Sequence, residues 1–253
     1  MTDTAQPRCV VVTGASAGIG RALALAYAAP GVVLGLIGRD AERLEASAEA
    51  CRACGAEVAT GCVDICNAEA LKAWLDTFDA NHPIDLLIAN AGASSVLTSA
   101  EDWEDLARTA KVVDTNLYGT LHTALPVIAR MRARKRGQIA LVASLAALHG
   151  MAVSPAYCTS KAAIKVWADS VRPLLKRDGI ALTVILPGFV KTAMSDNYPS
   201  DKPLMWSTDR AAAYIRRKLA ARRLEIAFPF LLQLSMRLTS MLPLPLADSM
   251  LNK

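Results

Sequence analysis

Tyr157 and Lys161 stand four residues apart in a stretch, 156–177, whose spacing predicts a helix, so a phenol and an ammonium project from one face, one turn apart. A phenol with an unperturbed pKa of about 10 is a poor acid–base group at neutral pH. An ammonium about 4 Å away contributes roughly 4 kcal/mol at an effective dielectric near 20. Desolvation removes part of that, and the remainder is expected to draw the phenol down toward a working pH. Ser144, at the end of a predicted strand, adds a hydroxyl able to hold a substrate oxygen. A Tyr-x-x-x-Lys pair alone is common on amphipathic helices, and a serine at a strand end is equally readable as a cap. The chemistry therefore needs a partner site elsewhere in the chain.

Thr13-Gly14-Ala15-Ser16-Ala17-Gly18-Ile19-Gly20 supplies one. It lies between a buried strand, Cys9 to Val12, and a helix from Ile19 to Ala29. Gly14 permits a tight exit from the strand, Gly18 lets backbone approach a phosphate, and Gly20 lets the helix sit close to the sheet. Unpaired N–H groups at the helix start, at the positive end of its dipole, favour a pyrophosphate there.

Both features require a scaffold, and the rest of the chain predicts it. Apolar runs of strand length recur at Val32–Ile37, Val58–Val63, Ile84–Ala89, Gln138–Ala143, Ile180–Leu186 and Leu224–Phe228. Helical stretches lie between them, at Ala41–Cys54, Ala68–Ala80, Trp103–Arg134 and Ala156–Arg177. Continuously apolar strands alternating with helices imply an α/β fold, a doubly wound parallel sheet covered on both faces. With 253 residues, 53% of them hydrophobic and 20% charged, the chain can bury a full core, and the disordered and fibrous classes are excluded. No repeat or low-complexity linker interrupts 8–228, so a single domain, 1–253, is expected.

The spacing Gly-x-x-x-Gly-x-Gly after a threonine resembles the short-chain dehydrogenase/reductase family, and the resemblance runs in order through about residues 8–228. Asp64 and Ile65 follow the third strand, where the family's acid touches adenine. Asn90-Ala91-Gly92 follows the fourth, Asn116 matches its catalytic asparagine, and Ser144, Tyr157 and Lys161 match its Ser…Tyr-x-x-x-Lys signature. Pro187-Gly188-Phe189-Val190-Lys191-Thr192 matches the loop that holds the nicotinamide end. The resemblance implies a Rossmann-like fold and hydride transfer between nicotinamide C4 and a carbonyl or alcohol carbon. Tyr157 would pass the proton, Ser144 would polarise the oxygen, Lys161 would lower the phenol's pKa and grip ribose, and Asn116 would hold a water behind Lys161. Gly14, Ser16, Ala17, Gly18, Ile19 and Gly20 would hold pyrophosphate, with Asp64, Ile65, Asn90, Ala91, Gly92, Pro187, Gly188, Val190 and Thr192 along the rest of the cofactor. Two departures stand out. Ala89 replaces a frequent asparagine, and Leu145 after Ser144 is greasier than in many relatives.

The end of the second strand bears on the choice of nicotinamide. Gly38 occupies the position where NAD-using relatives commonly carry an aspartate, and Arg39, suited to a 2′-phosphate, follows. Asp40 reads as the N-cap of the helix at Ala41. NADP is therefore expected in preference to NAD. By position Ala93, Ser94, Leu145, His149, Met151, Phe189 and Met194 would line the substrate site, which suits an apolar or neutral small molecule. Cys51, Cys54, Cys62 and Cys66 superficially resemble a zinc set but fall on different elements, so no metal is expected. All six cysteines read as reduced thiols, and no basic segment followed by an apolar run opens the chain, so a cytoplasmic protein is expected.

Residues 201–253 carry nine Lys/Arg against four Asp/Glu, which accounts for the chain's whole formal excess of +5. The near-neutral remainder argues against nucleic-acid binding. Residues 229–253 form a Leu- and Met-rich extension whose polar residues Gln233, Arg237 and Ser240 fall on one helical stripe. Three readings stay open for it: a helix over the cleft or at a homo-oligomer interface, a peripheral membrane contact assisted by Arg216, Arg217, Lys218, Arg222 and Arg223, or a loose tail. A second basic run, Arg130 to Arg136, is assigned no partner. Two rivals to an enzyme are a non-catalytic nucleotide-binding redox sensor and a membrane-associated scaffold acting through this extension.

Overall fold

The computed structural model describes residues 6–99, 101–199 and 201–251. Seven strands form one all-parallel sheet: β1 (Cys9–Thr13), β2 (Val33–Gly38), β3 (Glu57–Cys62), β4 (Leu86–Ala89), β5 (Gly137–Val142), β6 (Ile180–Pro187) and β7 (Glu225–Phe228). Their order across the sheet is β3-β2-β1-β4-β5-β6-β7. The chain winds outward in one direction from β1 to β3 and in the other from β4 to β7. The crevice beyond the carboxyl ends of β1 and β4, where the direction reverses, is where such sheets bind ligands.

Alternation along each strand divides the core. Val11 of β1 joins Leu87, Ile139, Leu141, Leu182 and Val184 on one face. Val10 and Val12 join Leu34, Leu36, Leu86, Ile88 and Ile185 on the other. The first face is covered by α3 (Ala68–Asn81), α5 (Gly119–Ala133) and α6 (Pro155–Arg177), through Leu71, Leu75, Val127, Met131, Ile164 and Ala168. The second is covered by α1 (Gly18–Tyr27), α2 (Ala41–Ala53) and α8 (Thr208–Ala220), through Leu23, Leu44, Ala48, Ile215 and Leu219. This is the doubly wound arrangement expected from the sequence.

Strand ends fall within one or two residues of those predicted. The stretch 103–134 differs. It is not one helix but α4 (Leu106–Val113), a π-helical turn at Asp114–Tyr118, and α5. The wider turn carries Asn116, which is fully buried. Its amide spans two neighbouring elements, donating to the Ala93 carbonyl at 2.9 Å and the Ser160 hydroxyl at 2.8 Å and accepting from Ala93 N–H at 2.7 Å. A local i→i+5 turn in service of tertiary contacts leaves no mark on the 3.6-residue period.

The basic run Arg130–Arg136, given no partner above, is fully paired. Arg134 forms a two-pronged bond with the buried Asp79, and Arg130 reaches Asp76 and Asp79. Arg132 and Lys135 share Asp178, and Arg136 faces Asp85 at 3.7 Å. After β6 come α7 (Ala193–Asp196) and α8, and after β7 come α9 (Phe230–Thr239) and α10 (Leu244–Leu251). The expected apolar extension is thus helical; its final two residues, 252 and 253, lie outside the described residues.

Candidate active site

A cleft of about 750 Å³ opens over the carboxyl edge of the sheet. Each strand from β1 to β6 contributes what immediately follows it or ends it: Gly14 from β1, Gly38 and Arg39 from β2, Asp64 from β3, Asn90–Gly92 from β4, Ser144 from β5 and Pro187–Gly188 from β6.

The glycine loop is shaped by close approach. Gly14 and Gly18 have φ of +66° and +55°, values that L side chains rarely adopt. A Cβ on Gly20 would sit 2.2 Å from the Gly14 carbonyl oxygen, so α1 can lie this close to the β1 exit only with glycine there. No side chain caps the start of α1, and its first turn carries no acid. Its leading N–H groups are therefore left to a ligand or water. The loop's floor is fixed by Thr13, whose hydroxyl accepts from Asn90 and Ala91 N–H at 3.0 and 3.1 Å. The Asn90 amide donates back to the Thr13 carbonyl at 3.0 Å. Asn90 lines the cleft, with its side chain spent on tying β4 to β1.

At the other end of the cleft Tyr157, Lys161 and Ser144 meet. The Ser144 hydroxyl accepts from Ala146 N–H at 3.1 Å and donates to the Pro187 carbonyl at 3.4 Å, and it stands beside the Tyr157 phenol. Lys161 Nζ lies 5.7 Å from the centre of the Tyr157 ring and donates to the Val142 carbonyl at 3.0 Å. Burial dominates the titration of both groups. It pushes the Tyr157 phenol above its ordinary value, with the neighbouring Ser144 hydroxyl opposing, and pulls the Lys161 ammonium down to about 8. The expectation that Lys161 alone brings the phenol toward neutrality is not met, because both groups lose water. A Cβ on Gly92 would lie 2.9 Å from Asn116 Oδ1 and 3.3 Å from Lys161 Nζ, so Gly92 is what lets Asn116 and Lys161 close up behind the site.

Helix α6, which carries Tyr157 and Lys161, takes its cap from elsewhere. Its own N-cap residue, Ser154, makes no side-chain capping bond. Glu104, just ahead of α4, instead accepts the Ala156 N–H at 2.7 Å. The segment that carries Glu104 is braced by Arg108, which bonds Asp102, Ser95 and the Val96 carbonyl, and Leu97 N–H donates to the Val153 carbonyl. Replacing Glu104 by Ala is expected to lower stability by about 1–2 kcal/mol in urea unfolding, with Gln, which keeps an acceptor, restoring most of it. An unchanged midpoint for the Ala variant would show that the cap carries no weight.

Of the residues singled out from sequence, Gly14, Ser16, Ala17, Gly18, Ile19, Arg39, Asp64, Ile65, Asn90, Ala91, Gly92, Pro187, Gly188, Val190 and Thr192 line the cleft. So do the substrate candidates Ala93, Ser94, Leu145, Met151, Phe189 and Met194. Three do not: Gly20 lies beneath the loop, Asn116 behind Gly92, and His149 is absent from the lining. Asp40 caps α2, as expected, accepting the Arg43 backbone N–H at 3.0 Å and its guanidinium at 2.7 Å. Those two bonds hold the Asp40 carboxyl below the usual carboxylate range. Sequence reasoning missed Arg43, Tyr198, Leu232 and Met236, all in the lining. Leu232 and Met236 had a signal, being an i,i+4 apolar pair away from the polar stripe of α9. Among the described residues no three His, Cys, Asp or Glu side chains gather as a metal site.

Residues 8–203 match the short chain dehydrogenase family. An uncharacterized oxidoreductase of Myxococcus xanthus is 34% identical over 246 residues, covering 96% of this chain and 95% of its own. The 11-beta-hydroxysteroid dehydrogenase-like 2 protein of Arabidopsis thaliana is 32% identical, over 83% of this chain and 70% of its own. Among solved structures, a short chain dehydrogenase/reductase from Burkholderia phymatum in complex with NAD superposes with a TM-score of 0.83 at 24% identity, covering 92% of each chain. Its fold is the same. With the strand-end motifs in order around one cleft, the chain belongs to the short-chain dehydrogenase/reductase family of NAD(P)-dependent oxidoreductases.

Proposed function

We propose that the protein interconverts a carbonyl and the corresponding alcohol, with NADP preferred over NAD and Tyr157 as the proton donor and acceptor. The observation that carries this reading is the meeting of Tyr157, Ser144 and Lys161 in the same cleft as the uncapped start of α1. The glycine loop fits a dinucleotide, since a Cβ would clash at Gly20 and the positive φ at Gly14 and Gly18 opens the backbone toward the cleft. Gly14 to Ile19 would hold its pyrophosphate, Asp64 and Ile65 the adenine side, and Asn90–Gly92 with Pro187–Thr192 the nicotinamide side. When bound, the cofactor supplies or accepts the hydride.

The chain's own residues handle the oxygen. Ser144 holds it, and Tyr157, protonated at neutral pH, gives up the phenolic proton as negative charge develops there. Lys161, fixed by Val142, offers positive charge to the phenolate that remains. Asn116 acts as a positioning residue, since its amide is committed to Ala93 and Ser160. Leu145, Met151, Phe189, Met194, Leu232 and Met236 make the substrate end apolar, which favours a lipophilic or neutral carbonyl compound.

NADP preference rests on the end of β2. Gly38 places no carboxylate in the cleft, Arg39 is exposed and lines it, and Asp40 is engaged by Arg43. A charge-assisted bond is worth about 1.5–3 kcal/mol, so Arg39→Ala should raise KM for NADPH by about 10–100-fold and leave NADH within about two-fold. Initial rates with both cofactors against a panel of ketones, aldehydes and keto sugars test this. Equal kcat/KM for NADPH and NADH in the parent protein would overturn the preference. An absence of oxidation with every substrate would overturn the activity.

A further inference from the structure

Taken at 100° per residue, the side chains of α9 fall into three arcs. Leu232, Met236 and Thr239 turn inward, and the first two line the cleft. Gln233, Arg237 and Ser240 form a polar arc: Arg237 pairs with Glu225 on β7, and Gln233 shares a shallow depression with Lys218 and Arg223. The third arc faces outward and is apolar except for Ser235 at its edge. Phe230, Leu231, Leu234 and Leu238 are 70%, 63%, 42% and 57% exposed, and the surface continues through Met241 and Leu242 to Leu244 and Leu246 at the start of α10. Eight large apolar side chains within seventeen residues form an outer face that the described part of the chain does not cover.

The polar arc beside it meets cations, since Gln233 shares its depression with Lys218 and Arg223. Unlike Arg130–Arg136, the cluster Arg216, Arg217, Lys218, Arg222 and Arg223 makes no ion pair among the described side chains. Arg216 spends its guanidinium on the Ala26 carbonyl, while Arg217 and Lys218 lie over the Tyr214 ring. We infer that the outer face of α9 and the start of α10 seats in the surface of an anionic lipid bilayer, with Lys218, Arg222 and Arg223 at the headgroups, and that the cleft draws its lipophilic substrate from that phase. The second clause rests on the oxidoreductase reading above. An apolar arc edged by a polar arc and unpaired cations is the anatomy of a helix lying in a membrane interface. A second copy of the chain fits less well. A two-fold interface presents the same patch to itself, and Glu225, the acid in the bordering depression, is already paired. Among the described residues no helix is long and apolar enough to cross a membrane, so the contact is superficial.

Co-sedimentation of the full chain with phosphatidylcholine vesicles, with and without phosphatidylglycerol, tests the inference. The protein should pellet with the mixed vesicles and be released by salt. Arg222→Glu with Arg223→Glu should weaken binding at least about ten-fold, and Leu234→Glu with Leu238→Glu should abolish it. With a long-chain ketone dissolved in the vesicles, the leucine pair should lower kcat/KM about ten-fold while turnover of a short water-soluble ketone is unchanged. A protein that stays in solution with both vesicle types overturns the inference. So does a concentration-dependent dimer, seen by sedimentation velocity, that the leucine pair dissociates without any vesicle binding. Vesicle binding without turnover of any ketone would sink the oxidoreductase reading and leave the membrane contact standing.

Discussion

Tyr157→Phe should reduce hydride transfer by at least about 10³-fold while leaving the dissociation constant for NADPH within about three-fold. The ring stays, and with it the packing at the start of α6; what goes is one oxygen and the proton it carries. Positioned acid–base groups contribute about 10²–10⁴ in rate. This phenol sits at the upper end because it is placed beside Ser144 and Lys161 in the cleft. Losing that oxygen costs at most about 1 kcal/mol of stability, too little to unfold a domain of this size. Ser144→Ala should cost less in rate, about 10²-fold, because Tyr157 remains to hold and protonate the oxygen. Fluorescence titration of NADPH and single-turnover absorbance at saturating cofactor separate binding from chemistry. A Phe variant that turns over at a tenth of the parental rate would show that the proton comes from elsewhere.

Much of this geometry was legible in the sequence for one reason. In a parallel sheet of this winding every strand delivers its C-terminal end to the same edge, so motifs that follow strands must converge, however far apart they lie in the chain. That logic places Gly14, Asp64, Asn90, Ser144 and Pro187 together, and Asp40 as the cap of α2 follows from local chemistry alone. Contacts between segments that share no sequence period were not legible. The bond between Glu104 and the Ala156 N–H spans 52 positions and depends on how Arg108 braces the segment just before Glu104. The π-turn at Asn116 exists to reach Ala93 and Ser160, partners that sequence spacing does not reveal. The extension is intermediate. Its polar stripe could be read, but α9 has two apolar arcs, and only the structure shows that Leu232 and Met236 face the cleft while Leu234 and Leu238 face outward. His149, in the loop after Ser144, is not among the residues that line the cleft.

Lys161 carries the second large effect, on stability as well as rate. It is 4% exposed and donates to Val142, and no carboxylate forms an ion pair with it among the described side chains. Its pKa falls from 10.5 to about 8 through burial. A lowered lysine pKa means that the unfolded chain binds the proton more tightly than the folded one. Below about pH 8 both states are protonated and the folded state bears the full cost of a desolvated ammonium, about 3 kcal/mol. Between about pH 8 and 10.5 the unfolded state holds more protons, so the cost is relieved and stability rises with pH. Other groups titrate over the same range, so the useful quantity is the difference from Lys161→Met. That variant keeps an unbranched side chain one atom shorter and removes its charge. In the absence of cofactor, the stability of the parent relative to the variant should climb by about 3 kcal/mol from pH 7.5 to 10.5, measured by urea unfolding. Turnover in the variant should fall by at least about 10²-fold below about pH 8, where Lys161 is charged, since the phenolate formed by proton transfer then lacks its neighbouring cation, and the gap should narrow at higher pH. A parent and variant whose unfolding curves shift in parallel with pH would mean that Lys161 is hydrated in the folded protein. Its place behind Tyr157 as a buried charge would then be wrong.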